Sequence, residues 1–261
     1  MFRADHLWWA ATAGFVAILL VTLCVSAFDQ RLIGSDGVWV KPIKFQISLA
    51  IHFATLAAIA GLLSETRRTG SILFWIAVIS VGSAVFEIAY IMIQAARQQA
   101  SHFNQSTPLY RTMYGLMATG AVFITAAAAV VGAVAWFDSG ASLGPATRIA
   151  IATGLIGGTL LTLVIAFRMG GALDHHVGIE PAGAVRFPLT GWSMSVGDLR
   201  VPHFFATHMM QVLPLAGLVA DRVLPGQAAV LVVWLVAAAW TALTLRLFQQ
   251  ALAGTPLLTS W

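Results

Sequence analysis

Two histidines, His203 and His208, stand five residues apart in GWSMSVGDLRVPHFFATHMM, residues 191–210, with Asp198, Arg200 and Pro202 beside them. Imidazole nitrogens together with a carboxylate suit zinc, iron or copper. Five helical residues turn through about 140°, so this is not the same-face pair of an HExxH helix. Ligands from other elements must complete any such centre. The chain offers Glu87, His102 and the run Asp174-His175-His176. His102, His176, His203, His208 and Glu87 are the candidate metal ligands. Glu87, Asp198 and Arg97 are the candidate catalytic groups. Arg200, Lys41, Lys44 and Gln94 are candidates for holding a cofactor, the cations facing an anionic group such as haem propionates or a lipid headgroup. The sequence carries no HExxH, CxxC, CxxCH, Walker loop or GxSxG, so the signal lies in residue type and placement.

The elements that must position these groups are membrane spans. Of 261 residues, 59% are apolar and 9% charged, against about a quarter charged in soluble domains. The mean hydropathy is +0.86. The apolar runs are long and continuous, unlike the alternating strands of an outer-membrane barrel. A span needs about 20 apolar residues, and seven are predicted: 7–28, 43–63, 71–97, 111–137, 148–168, 203–221 and 227–249. The first is long for a signal sequence and flanked by Trp8 and Trp9, so it reads as a retained helix. The fold class is therefore all-α, a polytopic transmembrane bundle of about seven helices in one domain, 1–261. The long loop, 169–202, joins helices five and six. A loop of that length is functional or disordered, and Phe187 and Trp192 favour packing. The formal charge of +4 is scattered, and nothing suggests nucleic-acid binding. The lone cysteine, Cys24, excludes an intrachain disulfide.

Seven spans place the termini on opposite sides. The N-terminal side carries five basic residues, Arg3, Arg67, Arg68, Arg148 and Arg222, and the other side nine. That raw count puts the C-terminus in the cytoplasm, whereas the dense pair Arg67-Arg68 in a short loop argues for a cytoplasmic N-terminus, which we adopt. Nearly every unusual polar group then belongs to the face opposite the N-terminus, including Lys41-Pro42-Ile43-Lys44 and Ser101-His102-Phe103-Asn104.

In the third span Glu87, Tyr90, Gln94, Arg97, Gln98 and Ser101 fall on one helical face, with His102 at its edge. That stripe is about 20 Å long at 1.5 Å per residue. An intramembrane charge marks a functional site by default; the alternative is a structural network of Glu87 with Arg97. Asp198 could cap the sixth helix, where Pro202 suits the first turn. His52 sits mid-span, about 12 Å from Lys44, where a hydrogen-bonded structural histidine is the commoner case. GLIGG, 154–158, and the alanines at 126–129 permit close helix packing. Trp234 and Trp240 read as lipid or packing residues.

WVKPIKF, QAARQQASHFN, PLTGWS, GDLRVPHF and HMMQVLPL resemble, in that order from about Val38 to Leu215, a group of bacterial integral membrane proteins with no assigned activity. The resemblance implies a shared architecture with the motifs at one end of the bundle, in the bacterial inner membrane, and an outward, periplasmic site. It extends to Glu87, His102, His176, His203 and His208, while His52 departs from a more usual tyrosine. It implies no chemistry.

Three functions follow from the residues. A metal centre of histidines and Glu87 would support redox or metal-assisted hydrolytic chemistry, on a membrane lipid or with a quinone or other membrane redox partner. A b-type haem would take His208 with His52 or His102 as axial ligands. A small-solute or proton pathway would use Glu87, Gln94 and Arg97, but the inverted repeat common in transporters is not evident.

Overall fold

A computed structural model describes residues 3–258. Its order is α1 (Ala4–Phe28), β1 (Leu32–Ile33), β2 (Asp36–Gly37), α2 (Val40–Gly61), α3 (Glu65–Arg68), α4 (Ser71–Ala96), α5 (Pro108–Phe137), α6 (Pro145–Ala172), β3 (His176–Val177), β4 (Gly197–Asp198), α7 (Arg200–Val223) and α8 (Gly226–Leu252). All helices but α3 are long and apolar enough to cross a membrane, which makes seven. The protein is all-α and multi-pass by helix length and hydropathy, and its long loop joins α6 to α7.

The long helices other than α4 begin one to three residues before the apolar runs. Pro108 and Pro145 occupy first-turn positions, where the missing N–H is no loss. Thr107 caps α5 by accepting from Tyr110 N at 3.2 Å. Lys41 and Lys44 lie inside the first turns of α2, not in a loop. The third span ends earlier than its polar stripe. Gln98 adopts φ 55°, Gln99 N donates to Gln94 O at 2.8 Å and Gln98 N to Ala95 O at 2.9 Å. That is a Schellman stop made without glycine. Arg97, Gln98, Ser101 and His102 therefore lie beyond the helix, and only Glu87, Tyr90 and Gln94 share its face.

The chain forms two compact units, dividing between Ser142 and Leu143. In the first, Phe15 of α1 stacks on Phe53 of α2 with ring centroids 5.7 Å apart. Polar bonds lock the same helices: Gln46 Nε2 donates to Thr22 Oγ1 at 2.8 Å, and Trp8 Nε1 to Ser80 Oγ of α4 at 3.2 Å. Asp138, after α5, accepts from Ser64 N at 2.7 Å and Ser64 Oγ at 2.8 Å.

In the second unit α6 and α7 meet through glycine. A Cβ at Gly154 would lie 2.9 Å from Leu213 Cβ and 3.0 Å from Met209 O, and one at Gly158 would lie 3.0 Å from Met210 Cγ. GLIGG thus does what its small residues predict. Asp221 of α7 accepts from Ala146 N at 3.2 Å and Thr147 N at 2.7 Å, satisfying two N–H groups that the first turn of α6 leaves open. Trp240 of α8 donates to Phe205 O at 2.8 Å. This packed pair fixes both ends of the long loop, 173–199.

Candidate metal centre

The long loop is folded rather than slack. Leu173 ends α6 in the left-handed conformation, φ 53°, and turns the chain so that Asp174 Oδ1 accepts from His176 N at 2.9 Å. β3 and β4 then pair antiparallel, with His176 opposite Asp198. Leu199 N donates to His175 O at 2.8 Å. A second hairpin, bridged at Arg186 and Ser193, lies between the two strands in sequence.

Asp198 is the hub of this loop. Its side chain is buried. Oδ1 accepts from Arg200 N at 3.0 Å and Arg200 Nε at 2.9 Å, and Oδ2 accepts from Ser193 N at 2.9 Å and Arg200 Nη2 at 2.6 Å. Burial pushes its carboxyl up, but the hydrogen bonds and charge of Arg200, with the backbone donors, outweigh that and hold it below the usual range. Arg200 also donates to Gly191 O at 2.8 Å. Asp198 thus ties the hairpin to the first turn of α7, satisfying the N–H of Arg200 as its place before the helix predicts.

Three metal-competent side chains converge at the start of the loop. One ligand atom from each of Asp174, His175 and His176 lies within 4.8 Å of the others. Asp174 Oδ1 stands 3.9 Å from His175 Nδ1 and 3.8 Å from His176 Nδ1. Tetrahedral zinc bonds of about 2.1 Å would space ligands about 3.4 Å apart, so both Asp174–imidazole separations lie about half an ångström from that spacing. The imidazoles lie against each other with centroids 4.1 Å apart at 52°. Asp174 is half exposed, leaving an approach from solvent. Burial, then the positive charge of Arg200, lower the His175 imidazole to about 4. At neutral pH it is therefore in the neutral form that binds metal.

On its other edge His176 faces two carboxylates. Nε2 is buried without a hydrogen-bond partner, 3.7 Å from Glu180 Oε1 and 3.9 Å from Asp198 Oδ2. Both separations exceed a hydrogen bond. Glu180 Oε1 is also buried and unpartnered, while Glu180 Oε2 accepts from Arg186 Nη2 at 2.6 Å. An imidazole whose Nδ1 takes a metal carries its proton on Nε2, and a carboxylate there fixes the ring. Nothing in the residue pattern singles out Glu180; its one signal is an acid four residues after a histidine.

The other candidates take different places. His203 and His208 lie on α7. His203 Nδ1 is buried without a partner, and the His203 carbonyl accepts from Thr207 Oγ1 at 2.9 Å. His208 Nδ1 is 3.2 Å from Gln211 Oε1, and its ring packs on Phe204 with centroids 4.1 Å apart. Glu87, His102, Lys41, Lys44, Gln94 and Arg97 belong to the first unit. There His102 sits among Phe45, Phe103 and Tyr114, with centroids 5.4, 6.4 and 6.3 Å away, and its Nδ1 is 3.2 Å from Ser101 Oγ. Burial, then the charge of Lys41, hold it well below the ordinary histidine range. Glu87 Oε1 and Tyr90 Oη, one helical turn apart, are buried without partners. Gln94 Nε2 donates to Ala100 O at 3.4 Å, and Arg97 Nη2 to Tyr110 Oη at 3.3 Å; Arg97 is exposed at the cap of α4. His52 Nε2 lies 3.1 Å from Ile124 O, the hydrogen-bonded structural arrangement, which leaves only Nδ1 for a haem iron.

Compared with known proteins, the chain matches no family model, and no curated protein or solved structure matches it.

Proposed function

We propose that this multi-pass membrane protein binds a transition-metal ion at Asp174, His175 and His176 and uses it for hydrolytic or redox chemistry at the membrane face. The carrying observation is the convergence of Asp174 Oδ1 with both imidazoles within 4.8 Å. Two histidines and one carboxylate are the donor set of catalytic zinc sites that keep a fourth position for water. The same set, with open positions, serves non-haem iron(II). A bound ion would supply a Lewis acid and a water of lowered pKa, or a redox centre. The chain's own contribution is orientation. The turn at Leu173 and the bond from His176 N aim Asp174, the β3–β4 pair holds His176, and Glu180 faces the far nitrogen of its ring.

The test is metal content and affinity. Protein purified in detergent should bind one equivalent of zinc by calorimetry, and Asp174→Ala or His175→Ala should each weaken binding at least tenfold while the elution profile is unchanged. Iron(II) titrated anaerobically separates the redox from the hydrolytic form. Unaltered zinc affinity in the Asp174→Ala, His175→Ala double variant would sink the reading.

A further inference from the structure

The hairpin within the long loop, residues 185–194, exposes apolar side chains that none of the described residues covers. Leu189 is 97% exposed and Val185 60% exposed. Leu189 is also held at φ 69°, a left-handed conformation that a bulky residue rarely adopts. Its side chain is thus kept at a strained position and is 97% exposed among the described residues.

Much of the backbone of the hairpin is paired within it. Phe187 N donates to Trp192 O at 2.7 Å, Thr190 N to Pro188 O at 2.8 Å, Gly191 N to Phe187 O at 2.9 Å and Met194 N to Val185 O at 3.2 Å. Pro188 has no N–H to satisfy. Internal pairing lowers the cost of leaving bulk water, and a seat at the interface leaves headgroups and water for the remaining groups. The one charge in the hairpin, Arg186, is tied back to Glu180 at 2.6 Å, so the tip itself, FPLTG, carries none.

The hairpin is continuous with an exposed flank of α7. Phe187 stacks on Trp192 at 6.2 Å, and Trp192 packs edge-on against Phe204 at 5.5 Å. Phe204 lies inside the span Arg200–Val223, about 6 Å along it from Arg200 at 1.5 Å per residue, and is itself exposed. The aromatic contacts therefore lay the hairpin along the flank of the helix. A tryptophan there, with an apolar body and a polar N–H, suits the lipid–water interface.

We propose that this hairpin is a membrane-interface finger, with Leu189 and its neighbours at the tip seated in the boundary between lipid headgroups and acyl chains beside α7. Its partner is the bilayer, and the proposal does not rest on the metal reading.

Nitroxide accessibility tests it. In a Cys24→Ala background reconstituted in phosphatidylcholine–phosphatidylglycerol nanodiscs, labels are placed by Leu189→Cys, by Thr190→Cys as a second tip position, by Leu160→Cys as a lipid-facing reference and by Ala182→Cys as an aqueous one. Power saturation is compared in oxygen, which concentrates in the acyl region, and in tris-oxalatochromate, which stays in water. The tip labels should favour oxygen as Leu160→Cys does, with an oxygen-to-chromate ratio several-fold above that of Ala182→Cys. A tip that reads like Ala182→Cys would overturn the proposal. So would a tip shielded from both reagents, which would place protein, such as a second copy of the chain, over it.

Discussion

Asp198→Ala should open the long loop. The substitution removes the acceptor for two backbone N–H groups, Ser193 and Arg200, and the carboxylate facing the Arg200 guanidinium. Removing one partner of a buried ion pair costs about 3–5 kcal/mol. The Arg200 side chain is 28% exposed and can recover some hydration, so the loss falls at the low end, about 3 kcal/mol. If the loop opens as a unit, each 1.4 kcal/mol is tenfold in the open population, and amide exchange across it should speed up about 100-fold. Leu199 N reports best, since its bond to His175 O at 2.8 Å does not involve the substituted side chain. Asp198→Asn keeps one oxygen but sets an NH₂ against a donor, and should lose about 1.5–3 kcal/mol, the range of a hydrogen bond to a charged group. The assay is hydrogen–deuterium exchange in detergent, with Asp138→Ala in the first unit as an off-site control. A change below threefold at Leu199 in Asp198→Ala would show that the carboxylate does not hold the loop. Zinc affinity should fall with the loop, by about 10–100-fold as for other groups that orient a ligand.

Two further predictions concern packing and titration. Gly217→Ala places a Cβ 2.5 Å from Ala150 Cβ, 2.9 Å from Ala146 O and 2.9 Å from Thr147 Cα, and should destabilise by about 1–3 kcal/mol. Gly115→Ala meets nothing within 4 Å and should gain up to about 1 kcal/mol of helix propensity; unfolding by SDS titration should show opposite signs. The His175 ring, followed by nitrogen-15 NMR in metal-free protein, should take up its proton near pH 4 instead of at the ordinary histidine value. Because burial and Arg200 disfavour the imidazolium, an opened loop binds that proton first. Loop protection should therefore be full above pH 6.5 and decline as pH falls from there toward 4; a ring midpoint near 6.5 would refute the placement of His175.

The number and type of the spans are legible because hydropathy is a sum over about 20 residues, and no single residue decides it. The ends are less so. The stop after Ala96 is made by Gln98 in a left-handed conformation, with no glycine or proline to announce it, and the helical period carried the polar stripe past its true end. Close packing at Gly154 and Gly158 was legible in GLIGG, since small residues four apart lie on one face. Which loop residues converge was only half legible. Asp174, His175 and His176 are adjacent in sequence, yet their convergence depends on the left-handed Leu173 and on the register that sets His176 opposite Asp198. Neither is a property of composition or period.

Residue type also fails to separate groups that hold a fold from groups that can still react. Asp198, Arg200, His176 and Glu180 are all polar, all in one loop and all attractive as chemistry. What distinguishes them is whether an atom is left without a partner after folding. Both Asp198 oxygens accept hydrogen bonds, and Arg200 spans Asp198 and Gly191; Asp198 cannot take up a new ligand without giving up these bonds. His176 Nε2 and Glu180 Oε1 face each other at 3.7 Å, buried and unsatisfied. A buried group of either kind without a partner costs about 1–3 kcal/mol. A metal on Nδ1 would fix the proton on Nε2 and draw Glu180 in to accept it, so the facing of these two atoms favours His176 over Asp198 as a candidate ligand.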